Sequence, residues 1–295
     1  MERLSSNNQV TISELIHRGT LALAGVSPSA RLDSEVLLGH LLGFTKTQLL
    51  TRGDAECSQE VIAHFSAFVE RRQRGEPVAY ITGEREFWGL SFQVSPAVLV
   101  PRPESELIVE EALAFVGSAR SIRCVDLGVG SGCLSIALAV ELQKQRCDVR
   151  CIGVDISHEA LRVAAANAQR HGVDGRISYH HGEWLDGVKD RKGPFDLIIA
   201  NPPYIDPAEE VPLDLSFEPR EALFAEEQGL KDVRVIIESA ASMLRPGGLL
   251  LVEVGAGKRR ALPQLLAPFE SQYEISLVGD DSSADRFTVV RLVRR

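Results

Sequence analysis

Asn201-Pro202-Pro203-Tyr204 is the stretch whose residue types and spacing point most directly to chemistry. Proline has no N–H and a fixed φ, so Pro202 and Pro203 stiffen the backbone and leave their carbonyls as pure acceptors. The side-chain oxygen of Asn201 adds another acceptor, and Tyr204 offers a flat ring face. A planar NH2 group can donate two hydrogen bonds into such a site and stack on the ring. An amide or arylamine nitrogen has a delocalised lone pair and is a poor nucleophile. Acceptors that hold both hydrogens can aim that lone pair out of plane at an electrophile. No strong base is needed first, because the proton becomes acidic only as the new bond to nitrogen forms. Asn201, Pro202 and Tyr204 are therefore the candidate catalytic residues, and Asn201, Pro202, Pro203 and Tyr204 the candidate substrate-binding set.

The electrophile is implied by a second segment, Asp126-Leu127-Gly128-Val129-Gly130-Ser131-Gly132, which leaves an apolar run and opens a helix. Glycines there permit a tight turn and close backbone approach to a ligand. The spacing is G-x-G-x-G, without the third glycine position of a dinucleotide fingerprint. Asp126 at the strand end would also repel a pyrophosphate. Asp155 closes the next apolar run, 23 residues after Gly132, where a carboxylate can accept both hydroxyls of a ribose. A nucleoside with a cationic methionine part and no phosphate, S-adenosyl-L-methionine, fits this set. Gly128, Val129, Gly130, Ser131, Gly132 and Asp155 are the candidate cofactor residues. Trp184 joins them as a ring cover, with Glu183 as an acceptor for an adenine amine. Together the two segments indicate methylation of a planar nitrogen in adenine, cytosine, or a glutamine or asparagine side chain.

The elements that must position these segments follow from hydrophobic periodicity. Thr11-Ile12-Ser13-Glu14 has the capping-box pattern, with Ile12, Leu15, Ile16 and Leu21 following at helical spacing. A second helix is expected after Pro28, with Leu32, Val36, Leu37 and Leu41 on one face and an end near Gly43. A third is expected from about 58 to 74, with Val61, Ile62, Phe65 and Phe68 inward. Its Arg71-Arg72-Gln73-Arg74 end complements the helix dipole, a structural role. Residues 86–103 are rich in strand formers broken by Gly89 and Ser95-Pro96, and read as a hairpin linking a helical domain (1–85) to a second domain (104–295). That second domain alternates helix and strand, with strands expected at 122–127, 149–154, 176–180, 195–200, 248–254, 273–278 and 287–293. Such alternation implies an α/β fold, a mostly parallel sheet covered by helices on both faces, with ligands at the carboxyl ends of the strands.

Composition narrows the function classes. The chain has 295 residues, 44% hydrophobic and 25% charged, which is globular and neither disordered nor fibrous. It contains no run of apolar residues long enough to span a membrane, and residues 1–8 have no apolar signal-peptide core. Of five scattered cysteines, four lie in or next to apolar stretches and read as buried thiols. Cys147 and Cys151 find no second His or Cys pair, so no metal is expected, and the expected compartment is cytoplasmic. Residues 1–103 carry 10 basic and 11 acidic side chains; residues 104–295 carry 22 and 30. Residues 205–227 hold eight carboxylates, from Asp206 to Glu227, against the single base Arg220. That charge around an NH2 pocket repels phosphates and favours a basic protein partner over direct nucleic-acid binding.

Taken together, the residues resemble the peptide chain release factor glutamine methyltransferases (the PrmC/HemK family). The resemblance rests on Tyr80-Ile81-Thr82-Gly83, Glu86-Phe87-Trp88-Gly89-Leu90 with Phe92, Pro101-Arg102-Pro103-Glu104-Ser105-Glu106 and the 126–132 loop. It continues in Asn201-Pro202-Pro203-Tyr204-Ile205, Glu218-Pro219 with Ala222-Leu223, Pro246-Gly247-Gly248 and Asp285-Arg286. Val129 and Ser105 stand where the family usually has Thr. The resemblance implies a seven-strand Rossmann-like methyltransferase domain, a small N-terminal helical bundle that docks the substrate, and a β-hairpin linker. It implies that Asn201 also contacts S-adenosylmethionine and that Arg102 and Glu106 meet its methionine end; apart from the resemblance, a monomer is expected. The implied substrate is the glutamine of the Gly-Gly-Gln loop of class 1 release factors. Competing readings are a glutamine methyltransferase of a ribosomal protein, a nucleic-acid adenine methyltransferase, which should carry a basic recognition region, and a non-catalytic cofactor-binding module.

Overall fold

The structure is a computed structural model that describes residues 10–189, 193–255, 257–279 and 287–295. Asp285-Arg286 and the first eight residues lie outside the described residues. The chain divides into two compact units. One comprises the chain through Gly83 together with Pro212–Phe217, the other Glu84–Val211 with Glu218–Arg295. The return of Pro212–Phe217 to the first unit is a feature that a division at 85 and 103 does not contain.

The first unit holds helices α1 (Ile12–Leu23), α2 (Ala30–Leu42), α3 (Lys46–Thr51), α4 (Gln59–Gln73) and α5 (Val78–Thr82). Thr11 caps α1 by accepting from the Glu14 N–H at 3.3 Å, while the Glu14 carboxylate turns to Arg18. Ile12, Leu15, Leu23, Leu37, Leu38, Phe65 and Val69 form the core. Three expected inward residues face solvent: Leu21 is 65% exposed, Leu32 50% and Val36 43%. The buried face of α2 is instead Ala30, Asp33, Ser34, Leu37 and Leu38. The reason lies on α4, where Arg72 reaches across and donates from Nε to Asp33 Oδ2 at 2.8 Å. This ion pair holds a carboxylate inward and turns Leu32 and Val36 out. Arg71 likewise pairs with Glu76, so two of the clustered arginines serve the bundle itself. The short α3, capped by a Thr45–Gln48 box, is not apparent from apolar spacing.

The second unit opens with the hairpin β1 (Glu84–Phe87) and β2 (Leu90–Gln93), turned by Trp88 and Gly89 at φ of 55° and 68°. Phe87 and Phe92 are buried in the same core as the central sheet, so the hairpin is part of this unit. The sheet then contains β3 (Ser121–Leu127), β4 (Asp148–Asp155), β5 (Ile177–His181), β6 (Phe195–Ala200), β7 (Leu244–Val254), β8 (Tyr273–Val278) and β9 (Thr288–Arg294). Their order is β5-β4-β3-β6-β7-β9-β8, and only the pairings of β9 are antiparallel. Two apolar layers sandwich the sheet, one including Ile108, Ile136 and Leu138, the other Val233, Ile236 and Ile237. The strand order reverses between β3 and β6, which opens a ligand crevice above their carboxyl ends. Asp126 lies in register with Ile199, and Ile199 with Leu251. Side chains alternate along a strand, so Asp126 and, two residues beyond Leu251, Glu253 emerge on one face of the sheet.

Candidate active site

The cofactor loop is built from backbone. Gly128, Gly130 and Gly132 have φ of 70°, 52° and 82°. At Gly132 a Cβ would lie 2.7 Å from Ile136 Cδ1 and 3.3 Å from the Ala164 Cβ, so both conformation and space require glycine. The Gly128 and Val129 N–H groups donate to the Val154 carbonyl at 2.9 Å, which ties the loop to the end of β4. Asp155 completes the tie. Its Oδ2 accepts from the Gly130 N–H and its Oδ1 from the Ser157 N–H, each at 2.9 Å. Every carboxylate oxygen has further lone-pair capacity, so two acceptor sites remain. Burial raises the Asp155 pKa, and the two backbone donors oppose that rise.

Gly128, Val129, Gly130, Val154, Asp155 and Ser157 line a cavity of about 450 Å³, a size typical of small-molecule sites, whereas Gly132, expected among the cofactor residues, lies outside its wall, packed against Ile136 and Ala164. The cavity wall includes Gly128, Val129, Gly130, Ser131, Asp155, Glu183, Trp184, Asn201 and Pro203, with apolar cover from Leu134 and Ile156. Trp184 is held by donation from its Nε1 to Asp232 Oδ1 at 3.2 Å and packs on the core below. Asp155, Glu183, Glu221 and Asp232 give the wall four carboxylates, and Arg102 is its one base among the described residues. Arg102 is itself neutralised by Glu218 at 2.5 Å. A net acidic wall with no free cation among the described residues suits a cationic sulfonium nucleoside better than a phosphate.

Several expected residues stand elsewhere. Asp126 is 1% exposed and absent from the wall; its Oδ2 accepts from the Ser135 N–H at 3.1 Å. Burial pushes its pKa up to about 7, so it acts beneath the loop and not as a surface charge against a ligand. Glu106 accepts from the Trp88 N–H at 2.8 Å and fastens the hairpin turn. Pro202 is buried and, with Tyr204, lies outside the cavity wall. The Tyr204 ring is wedged on Gly255, where a Cβ would come within 2.3 Å of Tyr204 Cδ2, and meets Phe287 edge-on at 5.6 Å. Burial raises the Tyr204 pKa, so the ring is a neutral phenol.

Asn201 is placed by the end of β6. Its Nδ2 donates to Ser105 Oγ at 3.0 Å, and its Oδ1 is buried without a partner among the described residues. The following chain is pinned by Ile205, which donates to the Leu223 carbonyl and accepts from the Ala225 N–H, both at 2.9 Å. The acidic segment is therefore not uniformly solvated. Glu218 is 7% exposed and accepts from the Val100 N–H at 2.9 Å as well as from Arg102. Spacing alone missed this ion pair, although Arg102 and Glu218 both lie in motifs singled out above. It also missed Glu253, whose signal was a lone carboxylate inside the buried run Leu249-Leu250-Leu251-Val252-Glu253-Val254.

Comparison with known proteins agrees with this geometry. Residues 14–83 match the PrmC N-terminal domain, and residues 118–277 match a methyltransferase domain. The chain is 37% identical over 281 residues to the release factor glutamine methyltransferase of Haemophilus influenzae, covering 91% of this chain and 94% of that protein. It is 41% identical over 244 residues to the protein of the same name from Geobacter sulfurreducens, covering 82% of each. Among solved structures, the hMettl16 catalytic domain in complex with the MAT2A 3′UTR hairpin 6 shares the fold, with a TM-score of 0.53. That chain is only 14% identical; the match covers 80% of this chain and 82% of that one. Both domains and the near-full-length identity agree: this chain belongs to the release factor glutamine methyltransferases.

Proposed function

We propose that this protein moves a methyl group from S-adenosylmethionine to the side-chain amide nitrogen of the glutamine in the Gly-Gly-Gln loop of class 1 translation release factors. S-adenosylmethionine, when bound, supplies an electrophilic methyl group on a cationic sulfur. Gly128–Ser131 approach it through backbone, Asp155 accepts its ribose hydroxyls, Trp184 covers its base, and the acidic wall complements its charge. The observation that carries the reading is the unpartnered, buried Oδ1 of Asn201 beside that wall.

A buried acceptor left unmade costs about 1–3 kcal/mol. A substrate NH2 group that donates to it recovers this energy and is held in a fixed orientation. The carbonyl of Pro202 is the natural acceptor for the second hydrogen, and Tyr204, fixed by Gly255 and Phe287, borders the amide plane. Holding both hydrogens raises the lone pair out of conjugation and toward the methyl group. The nitrogen then sheds one proton to solvent as the new bond completes. The acidic segment around Asn201 favours a basic protein surface, and the helical unit supplies the docking body.

The test is methyl transfer from labelled S-adenosylmethionine to three purified acceptors offered separately: a class 1 release factor, ribosomal proteins and DNA. Label on the release factor, mapped to the Gly-Gly-Gln glutamine, is the expected result. Label confined to ribosomal protein or DNA would overturn the assignment.

A further inference from the structure

Glu253 is a carboxylic acid in the buried, otherwise apolar stretch from 248 to 254 of β7. It is 0% exposed, and neither carboxyl oxygen has a hydrogen-bond partner among the described residues. Such a group is costly to retain, because a buried polar atom without a partner loses its hydration and gains nothing. Ala200 pairs with Val252, so Asn201 and Glu253 leave β6 and β7 side by side. Asn201 in turn donates to Ser105 Oγ, while neither residue makes a hydrogen bond to the Glu253 carboxyl. Ser105 is 2% exposed and already accepts from Asn201 Nδ2. Burial pushes the Glu253 pKa up to about 7, with Glu104 adding to the rise and Arg102, Ser105 and Asn201 opposing it.

An asparagine amide can present either its oxygen or its NH2 to a ligand, and the two faces look alike in shape. Only the oxygen can hold a substrate NH2 group; the flipped amide would set donor against donor. Ser105 alone does not decide the matter, because a hydroxyl both donates and accepts. Offered the Asn201 oxygen, it would donate; offered the Asn201 NH2, it accepts. An acceptor behind Ser105 removes this ambiguity. It takes the hydroxyl proton and leaves Ser105 Oγ free only to accept, which turns Asn201 Nδ2 toward Ser105 and Oδ1 toward the substrate.

We infer that Glu253 is a positioning residue: with Ser105 it forms a buried polar pair that fixes the Asn201 amide with its oxygen toward the substrate nitrogen. The inference rests on the proposed glutamine methylation. It also accounts for a carboxylate kept where an aliphatic side chain would pack at lower cost.

The test compares the wild type with Glu253→Leu, Glu253→Gln, Ser105→Ala and the double variant Glu253→Leu/Ser105→Ala. Each is measured for kcat and KM with release factor, for S-adenosylmethionine affinity, and for Tm. Glu253→Leu should lower kcat about 100-fold with cofactor affinity changed less than threefold and Tm equal or higher. Glu253→Gln, which keeps an acceptor and the shape, should lose less than tenfold. The double variant should be no slower than the slower single variant, since both act through Asn201. Wild-type kcat in Glu253→Leu, or in Glu253→Gln and Ser105→Ala together, would overturn the inference while leaving the proposed reaction standing. Loss of activity that tracks loss of cofactor affinity or of Tm would overturn it equally, as a structural role. A wild-type protein that does not methylate release factor would remove both the reaction and the inference.

Discussion

At the scale of single residues, the site is a set of acceptors whose lone pairs are only partly used. Asp155 uses one acceptor site per oxygen on Gly130 and Ser157, which leaves further lone pairs on a carboxylate that lines the cavity. Asp155→Asn replaces one oxygen by a donor and removes the charge. Charged hydrogen bonds contribute about 1.5–3 kcal/mol each, so calorimetric titration should show cofactor affinity weakened about 10- to 100-fold, with kcat at saturating cofactor much less affected. Glu253 gives a prediction with a pH sign. Its folded-state pKa is raised from 4.5 to about 7, so the folded state holds its proton more tightly than the unfolded chain does. The resulting stability is fully present below about pH 4.5 and is lost as pH rises through 7. Glu253→Gln is neutral throughout. Its Tm advantage over the wild type should therefore be small near pH 4, grow between pH 4.5 and 7, and level off above that. An advantage independent of pH would show that the carboxyl is not held neutral by burial.

At the scale of elements, the strands were legible because a parallel sheet buried on both faces leaves continuous apolar runs, as in Leu197-Ile198-Ile199 and Leu249-Leu250-Leu251. Helix existence was legible too, but helix rotation was not. Leu32 and Val36 read as core because they are apolar, and Asp33 won the inward position because Arg72 sits 39 residues away in sequence and 2.8 Å away in space. No local pattern contains that pairing. The same holds for Arg102 with Glu218 and for Glu253 behind Ser105 and Asn201. Motif residues could be named from the chain, whereas their partners became apparent only once β3, β6 and β7 lay side by side. The Gly255 turn after β7 matters for the same reason, since it admits the Tyr204 ring. Gly255→Val should displace that ring and lower kcat at least tenfold, with cofactor affinity near wild type because neither residue lines the cofactor cavity. Kinetics alongside a cofactor titration separate the two effects.

At the scale of the whole molecule, charge and domain organisation carry the argument about the substrate. All nine residues that carry the cofactor-site argument fall in the second unit, whose stretch of chain holds most of the net charge of −9. Such a field accelerates encounter with a basic protein surface and is screened by salt, with a Debye length of about 10 Å at 0.1 M. Initial-rate measurements should show KM for release factor rising several-fold between low and moderately high salt, with kcat nearly constant. A KM indifferent to salt would remove electrostatic steering from the account.

The central claim is that Asn201 holds the substrate amide while the rest of the cavity holds the cofactor. It is tested most directly by single-turnover methyl transfer to purified release factor in Asn201→Ala, with S-adenosylmethionine affinity measured on the same preparation. Removing one positioned transition-state hydrogen bond of this kind costs about 100- to 1,000-fold in rate. The account predicts a loss of at least that size with cofactor affinity changed by no more than a few-fold. Transfer within tenfold of the wild type would contradict it.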